Sequence, residues 1–485
     1  MRQFLPVANV LGFVLVIFAC SMLVPLTVSW WLAERIIEVH VEAFLTTALA
    51  GLALFALTWR LRRELHPRDG YLLVSLVWTV LPAFATLPLL LALPSLSFTD
   101  AYFETMSGMT TTGATVLDRL DTLPASLNVW RCFLVWLGGM GILVLAVAIL
   151  PLLGVGGSQV LKAETPGPMK DAKLTPRIAQ TAKGLYAVYV GISVACVLAF
   201  RWAGMSWLDA FCHAFSTMGL GGFSTHDESF GYFKSPAIEA VTVVFMLLAG
   251  MNFAVHFSVW RARSLAPYRH CPEARWFLGV TLGATLLIAL YLLQRGTYPE
   301  FATALRHALF NTVSIATTTG FASVDYSTWP MFAPVLLILL SCFATCAGST
   351  GGGIKMLRAL VLLKQARREL VRVLHPRAIN PVTIAGGAIE NNVIFSVLAF
   401  MLLYGGLIIG ATMLMLFSGL DVVTAFTAVM ACINNMGPGL NQVGPATNYA
   451  VLTDLQTWVC TVTMLLGRLE LFTVLVLFTR TFWRK

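Results

Sequence analysis

Long apolar stretches alternate with short polar ones along almost the whole chain. Ten stand out, near residues 5–31, 40–59, 71–94, 130–155, 185–204, 236–260, 276–294, 330–363, 392–419 and 455–482. A helix needs roughly 18 or more mostly apolar residues to cross a bilayer, and each stretch meets that length. From residue 70 onward the pattern repeats: a long run, a short amphipathic segment, a glycine-bearing polar string, and a second long run. The strings are TTTGAT at residues 110–115, LGGFS at 220–224, TTTGFA at 317–322 and NNMGPG at 434–439. Their marker glycines are Gly113, Gly222, Gly320 and Gly437, at intervals of 109, 98 and 117 residues. The predicted fold is an all-α polytopic membrane protein of about ten transmembrane helices. Four pseudo-symmetric helix–pore loop–helix repeats surround one pore, beside an N-terminal helical pair. The divisions fall at residues 1–69 for the pair, then 70–160, 161–262, 263–378 and 379–485 for the repeats.

The short segments fix how the strings enter the membrane. Asp100 and Asp209 each stand 13 residues before their glycines, and Thr303 and Asp421 stand 17 and 16 before theirs. Such residues suit helix N-termini, where side-chain oxygens cap free N–H groups and the dipole favours an anion. Helices of about ten to thirteen residues are too short to cross, so they are read as re-entrant. Irregular backbone at membrane depth survives only when packed in protein or lining water. Four such loops in one chain predict a shared aqueous pathway.

Composition agrees. Of 485 residues, 58% are hydrophobic and 11% charged, where a soluble domain carries about 25% charged; the mean hydropathy is +0.80. The first run is long, with no small-x-small site before Trp30 and Trp31, and is read as a span rather than a cleaved signal. The net charge of +9 does not point to nucleic acid, because most Lys and Arg sit in alternate loops. Those loops hold Arg60 to Arg68, Lys162 to Lys183, Arg261 to Arg275 and Lys355 to Arg377, with Arg2, Arg480, Arg484 and Lys485 at the ends. The intervening segments carry Asp100, Glu104, Asp118, Asp121, Asp209, Asp227, Asp325, Asp421 and Asp454. The positive-inside rule then places the basic loops and both termini in the cytoplasm and all four strings outside. The nine cysteines form no CxxC or Cys/His metal pattern, and Cys342 and Cys346 read as small core residues.

A cation that sheds its water needs replacement oxygens, and rings of backbone carbonyls supply them without a trapping charge. Glycine permits the backbone angles and the close approach such a ring needs. Thr110, Thr111, Thr112, Thr317, Thr318 and Thr319 add hydroxyls. No Asp or Glu lies inside the strings, which favours a monovalent ion over a divalent one. A transporter for an organic substrate also uses broken helices, but usually shows two repeats. A membrane enzyme would need clustered His, Asp, Glu or Cys within the membrane, and none is apparent.

Three features lie outside the strings. Gly348, Ser349, Thr350, Gly351, Gly352 and Gly353 interrupt the run 330–363. They do not form a phosphate loop, since Ile354 separates Gly353 from Lys355 and no strand precedes them. A helix broken at mid-span fits a cavity-lining segment, and this break is expected in the third repeat alone. Arg468 is a charge inside the last run, costly unless paired or pore-related; Glu470, two residues on, faces elsewhere. His213, His307 and Arg306 read as rim or packing residues.

The four strings resemble the filters of the Trk/Ktr/HKT potassium-transporter superfamily. The extra N-terminal pair, the length, and AGMNF at residues 249–253 are similar to the membrane subunits of bacterial Trk potassium uptake systems, over essentially the whole chain. The resemblance implies potassium held by carbonyls of the two residues before each glycine: Thr111 and Thr112, Leu220 and Gly221, Thr318 and Thr319, Asn435 and Met436. In plant relatives a Ser at the first filter glycine accompanies sodium transport, so Gly113 favours potassium over sodium, with rubidium as a related ion. It also implies that residues 348–353 form an intramembrane gating loop, coupled through Lys355 to the cytoplasm, and that Arg468 lies near the conduction path. A homodimer in the bacterial inner membrane and a cytosolic ring of nucleotide-binding regulatory subunits are further implications. Coupling to protons or sodium, as in a symporter, is the alternative to a passive channel.

Overall fold

A backbone in lipid has no water to bond, so the apolar runs must satisfy their own N–H and C=O groups as helices. The computed structural model describes residues 5–61, 63, 65–144, 174–384 and 386–484. The sequence features at Arg2, Arg62, Lys162, Lys170, Lys173 and Lys485, the end of the run 130–155, and the division at 160/161 lie outside the described residues. Seven helices among the described residues are long and apolar enough to cross a membrane, or nine when each of two bent pairs counts as one span. Strand structure among them is confined to Thr383–Ile384 and Gly387–Ala388, paired antiparallel with Thr383 opposite Ala388.

Three runs depart from the straight spans the hydropathy predicts. The run near 236–260 bends by 96° between Pro236–Gly250 and Phe253–Ala262. The run near 455–482 bends by 106° between Asp454–Arg468 and Phe472–Phe478. The run near 330–363 is a 12-residue apolar helix, Phe332–Phe343, an irregular segment, and then the amphipathic helix Met356–Leu374. The break is therefore not peculiar to the third repeat. The mean hydropathy stays high across the bends, because Asn252, Arg468 and Glu470 are flanked by long apolar stretches, so hydropathy does not register them.

The N-terminal helices Leu5–Ser21 and Ile37–Thr58 meet where Gly12 lies against Gly51 and Phe55; a side chain on Gly12 would come within 2.7 Å of Phe55 N. Small residues let membrane helices approach, and polar groups then bond across them. Asn9 does this, donating to Phe55 O and Thr58 Oγ1 at 3.1 Å each. Outward faces of the spans carry exposed Leu, Ile and Phe, such as Phe13, Leu49, Leu286, Leu402 and Ile409.

Inside lie four short helices: Phe98–Met109, Trp207–Gly219, Phe301–Ala316 and Val422–Ile433. They have 12, 13, 16 and 12 residues, or about 18 to 24 Å of rise, short of a full crossing. Ser97, Ser206 and Asp421 cap the first, second and fourth, accepting from the backbone N–H of Asp100, Asp209 and Thr424. The third begins at Phe301 after Glu300, which gives no side-chain cap. Thr303 is the third residue of that helix, the place Asp100 and Asp209 hold in theirs, but no capping side chain precedes it.

Candidate functional site

Each short helix ends in the same local geometry at its string. Thr111, Leu220, Thr318 and Asn435 all adopt left-handed backbone, with φ of 55°, 55°, 59° and 51°. The next N–H reaches back five residues: Thr112 to Ser107 O at 2.8 Å, Gly221 to Ser216 O at 3.0 Å, Thr319 to Ser314 O at 2.8 Å, Met436 to Ala431 O at 2.9 Å. This is the Schellman helix end, in which a left-handed residue turns the chain and returns two N–H groups to the last turn. Glycine usually takes that position. Here three β-branched or bulky residues and one Asn do, at about 1–2 kcal/mol of strain for a non-glycine residue. Four equal strains at one position relative to the marker glycine define a built site.

The strings close on one another. A side chain on Gly113 would strike Gly222; on Gly222, the carbonyl carbon of Gly320 at 2.7 Å; on Gly320, Met436 O; on Gly437, Thr112 O at 2.8 Å. The order runs one, two, three, four and back to one, as an axial passage requires. The backbone carbonyls of Thr111, Thr112, Leu220, Thr318, Thr319, Asn435 and Met436 accept no hydrogen bond among the described residues, though these residues are wholly buried. Buried carbonyls are nearly always paired, so seven unpaired ones in one ring stand apart from the rest of the backbone. Gly221 differs, since its oxygen accepts from Phe223 N at 2.9 Å. The threonine hydroxyls brace the strands: Thr110 Oγ1 lies 2.8 Å from Thr112 Oγ1, and Thr317 Oγ1 2.7 Å from Thr319 Oγ1. Above the ring a cavity is lined by the four glycines, Asn448, Tyr449 and the loop bearing His226 and Asp227.

Residues 344–355 lie directly beneath. Gly352 N donates to Thr318 Oγ1 at 2.8 Å, and Thr350 Oγ1 donates to Met218 O, at the end of the second short helix, at 2.9 Å. Gly351 packs on Thr317 O, and Gly352 on Asn434 O. Gly348 O accepts from Phe253 N at 3.1 Å, and Gly250 O from Cys346 N at 3.0 Å. The two bends thus satisfy each other's backbone. Ser349 bonds back to Cys346 O. Gly353 and Lys355 have φ of 76° and 77°, and Lys355 Nζ donates to Gly351 O.

Arg468 is buried at the same level. It bonds Thr350 O at 2.8 Å and Gly138 O at 3.2 Å, and no ion pair involves it among the described residues. Glu470 faces elsewhere, pairing with Arg358. His213 is fully buried rather than at a rim, hydrogen-bonded to Ser224 Oγ at 3.0 Å. Arg306 pairs with Glu239 at 2.6 Å, and His307 stacks on Tyr298.

Two groups of residues escaped sequence reasoning. Glu104 counts there as an outer acidic residue, yet it is wholly buried and paired with Arg131 at 2.7 Å. Gly138 and Gly467 lie on the inner helices, where side chains would strike Met109 O and Ile433 O. Glycines at 138, 250, 348 and 467 recur 25 to 30 residues after the marker glycines, a second periodicity that could have been read.

The family model described as TrkH, cation transport protein, matches residues 37–485. The chain is 44% identical over 485 residues to the Trk system potassium uptake protein TrkH of Vibrio parahaemolyticus, covering 99% of this chain and 100% of that one. It is 43% identical to the protein of that name from Escherichia coli strain K12, with both chains covered in full. Against the Trk system potassium uptake protein TrkG of the same strain it is 38% identical, covering 99% and 98%. It superposes on the crystal structure of the potassium transporter TrkH from Vibrio parahaemolyticus with a TM-score of 0.92 and 42% identity, covering 99% of this chain and 100% of that one.

Proposed function

The chain belongs to the TrkH family of cation transport proteins, and from that premise we propose that it carries potassium across the bacterial inner membrane through the ring of glycine strings. A member of a transport family, it is not an enzyme. The single observation carrying this reading is the closed ring of buried, unpaired carbonyls. On this reading the ligands are the carbonyls of Thr111, Thr112, Leu220, Thr318, Thr319, Asn435 and Met436. Gly221 completes the second string if its weak turn bond opens. Each short helix directs its carbonyl end at the ring, which favours a cation there. The relatives named as potassium uptake proteins support potassium as the ion.

Residues 348–353 serve as the gate, because they bond to the inner ends of the strings, held there by Phe253 N on Gly348 O and by Arg468 on Thr350 O. Arg468 places a positive charge there, opposing cation flow while the segment stays docked. The basic helix Met356–Leu374 leads from the gate toward the cytoplasmic face, where a nucleotide-binding regulatory subunit would act. A homodimer, cytoplasmic termini and the four-repeat division complete the reading. A carbonyl cage with four strings favours this pathway over a two-repeat carrier. The test is potassium or rubidium uptake into vesicles holding the purified chain, with and without a regulatory partner. Flux is expected; absence of monovalent-cation flux under both conditions refutes the reading.

A further inference from the structure

The residue nine positions before each marker glycine lies against the backbone that leaves the ring. In the first repeat Glu104 accepts from Thr115 Oγ1 and from Val116 N, both at 3.0 Å. In the second, His213 Nε2 lies 3.0 Å from Ser224 Oγ. In the third, Asn311 donates to Ser323 Oγ at 3.1 Å. The fourth has Ala428 there, and its neighbour Thr427 takes the part, accepting from Leu440 N at 2.9 Å. Glu104, His213 and Asn311 are wholly buried and Thr427 nearly so. The four braces differ in chemistry: a carboxylate, an imidazole, an amide and a hydroxyl.

The first brace is also joined to the second. Arg131 meets Glu104 Oε1 at 2.7 Å, and donates to Thr115 Oγ1 and to Ser224 O, both at 3.2 Å. Its guanidinium lies 4.4 Å from the centre of the Phe223 ring, and Asn128 Oδ1 accepts from it at 3.1 Å. One ion pair therefore holds the outgoing strands of strings one and two. Buried ion pairs add little net stability. Their consequence is positional, because charge-assisted bonds are short and directional.

We propose that Glu104 and Arg131 are positioning residues that set discrimination between potassium and sodium, by fixing the outgoing strands of the first two strings. The neutral braces Asn311 and Thr427 leave the third and fourth strings more compliant. A carbonyl cage that tightens or loosens changes which ion it replaces water for. This inference rests on the potassium-conduction reading above.

The test measures reversal potentials of the full chain in vesicles under imposed potassium and sodium gradients. Glu104→Gln keeps the shape and removes the charge. Its potassium-to-sodium permeability ratio should fall by about tenfold or more, as the loss of a charge-assisted bond predicts, while gel filtration stays unchanged. Thr115→Val removes one hydroxyl shared by Glu104 and Arg131; the ratio should fall, and Thr115→Ser should restore it. Glu239→Gln, in an ion pair away from the strands, should leave the ratio unchanged. A folded Glu104→Gln protein with an unaltered ratio overturns the inference. If Glu104→Gln does not fold, the Thr115 pair decides, and an unaltered ratio in Thr115→Val overturns it. Absence of cation current from the parent chain overturns the conduction reading and this inference together, whereas current with unaltered ratios overturns this inference alone.

Discussion

Arg468 donates to the carbonyl oxygen of Thr350 at 2.8 Å, so the last span holds the interrupted segment of the third repeat against the underside of the ring. Its second bond, to Gly138 O, extends the tie to the first repeat. Replacing Arg468 with Met keeps the bulk and removes both donors and the charge. Cation flux through the isolated chain should rise several-fold, measured as rubidium uptake into vesicles. Deleting part of 348–353 should act in the same direction. Lower or unchanged flux in both would assign the segment a structural part only.

Gly113 combines a φ of 80° with contact on Gly222. A serine there carries about 1–2 kcal/mol of backbone strain and pushes the first string from the second. Gly113→Ser should weaken potassium over sodium discrimination, read from competition of sodium with rubidium uptake. Unaltered competition would remove Gly113 from the ring.

Gly467 lies against Ile433 O, at the end of the fourth short helix. An added methyl group has no room without a backbone shift, and such overpacking costs about 1–3 kcal/mol. Gly467→Ala should lower the thermal unfolding temperature in detergent. A site able to relax freely would give an unchanged temperature.

His226, above the ring, pairs with Asp121 and Asp209 and stacks on Tyr232. Burial lowers its pKa, but the hydrogen bonds and charges of Asp209 and Asp121 outweigh that and raise it above 6.5. A raised folded value means the charged form favours the folded state. That stabilisation is fully present below the unfolded value and is lost as pH climbs through the folded one. Thermal stability should therefore decline as pH rises past the ordinary value of 6.5 and through the raised folded one, and His226→Gln should flatten the decline. An equal decline in that variant would assign it to other groups.

The glycine strings were legible because glycine with polar neighbours, threonine in two strings and serine or asparagine in the others, recurs between apolar runs at similar spacing. The short helices were legible from Ser and Asp at their starts, except the third, where Glu300 offers no cap. The bends at Met251 and Leu471 were not, since Asn252 at the first and Arg468 and Glu470 at the second read as isolated polar residues inside apolar runs; the bonding from a distant segment that accompanies the break, as between Cys346 and Gly250, has no sequence signal. Glu104 was misplaced because a carboxylate about two turns into an amphipathic segment looks exposed until Arg131, 27 residues on, folds beside it. The left-handed angle at Leu220 had no signal at all, because leucine rarely adopts it.

The central claim is that a monovalent cation sits among the carbonyls of the four strings. The most direct measurement is anomalous diffraction from crystals of the chain grown in rubidium or thallium. The account predicts anomalous peaks on the axis between the carbonyls of Thr111, Thr112, Leu220, Thr318, Thr319, Asn435 and Met436. Peaks only elsewhere, or an axis without them in an ordered ring, would contradict it.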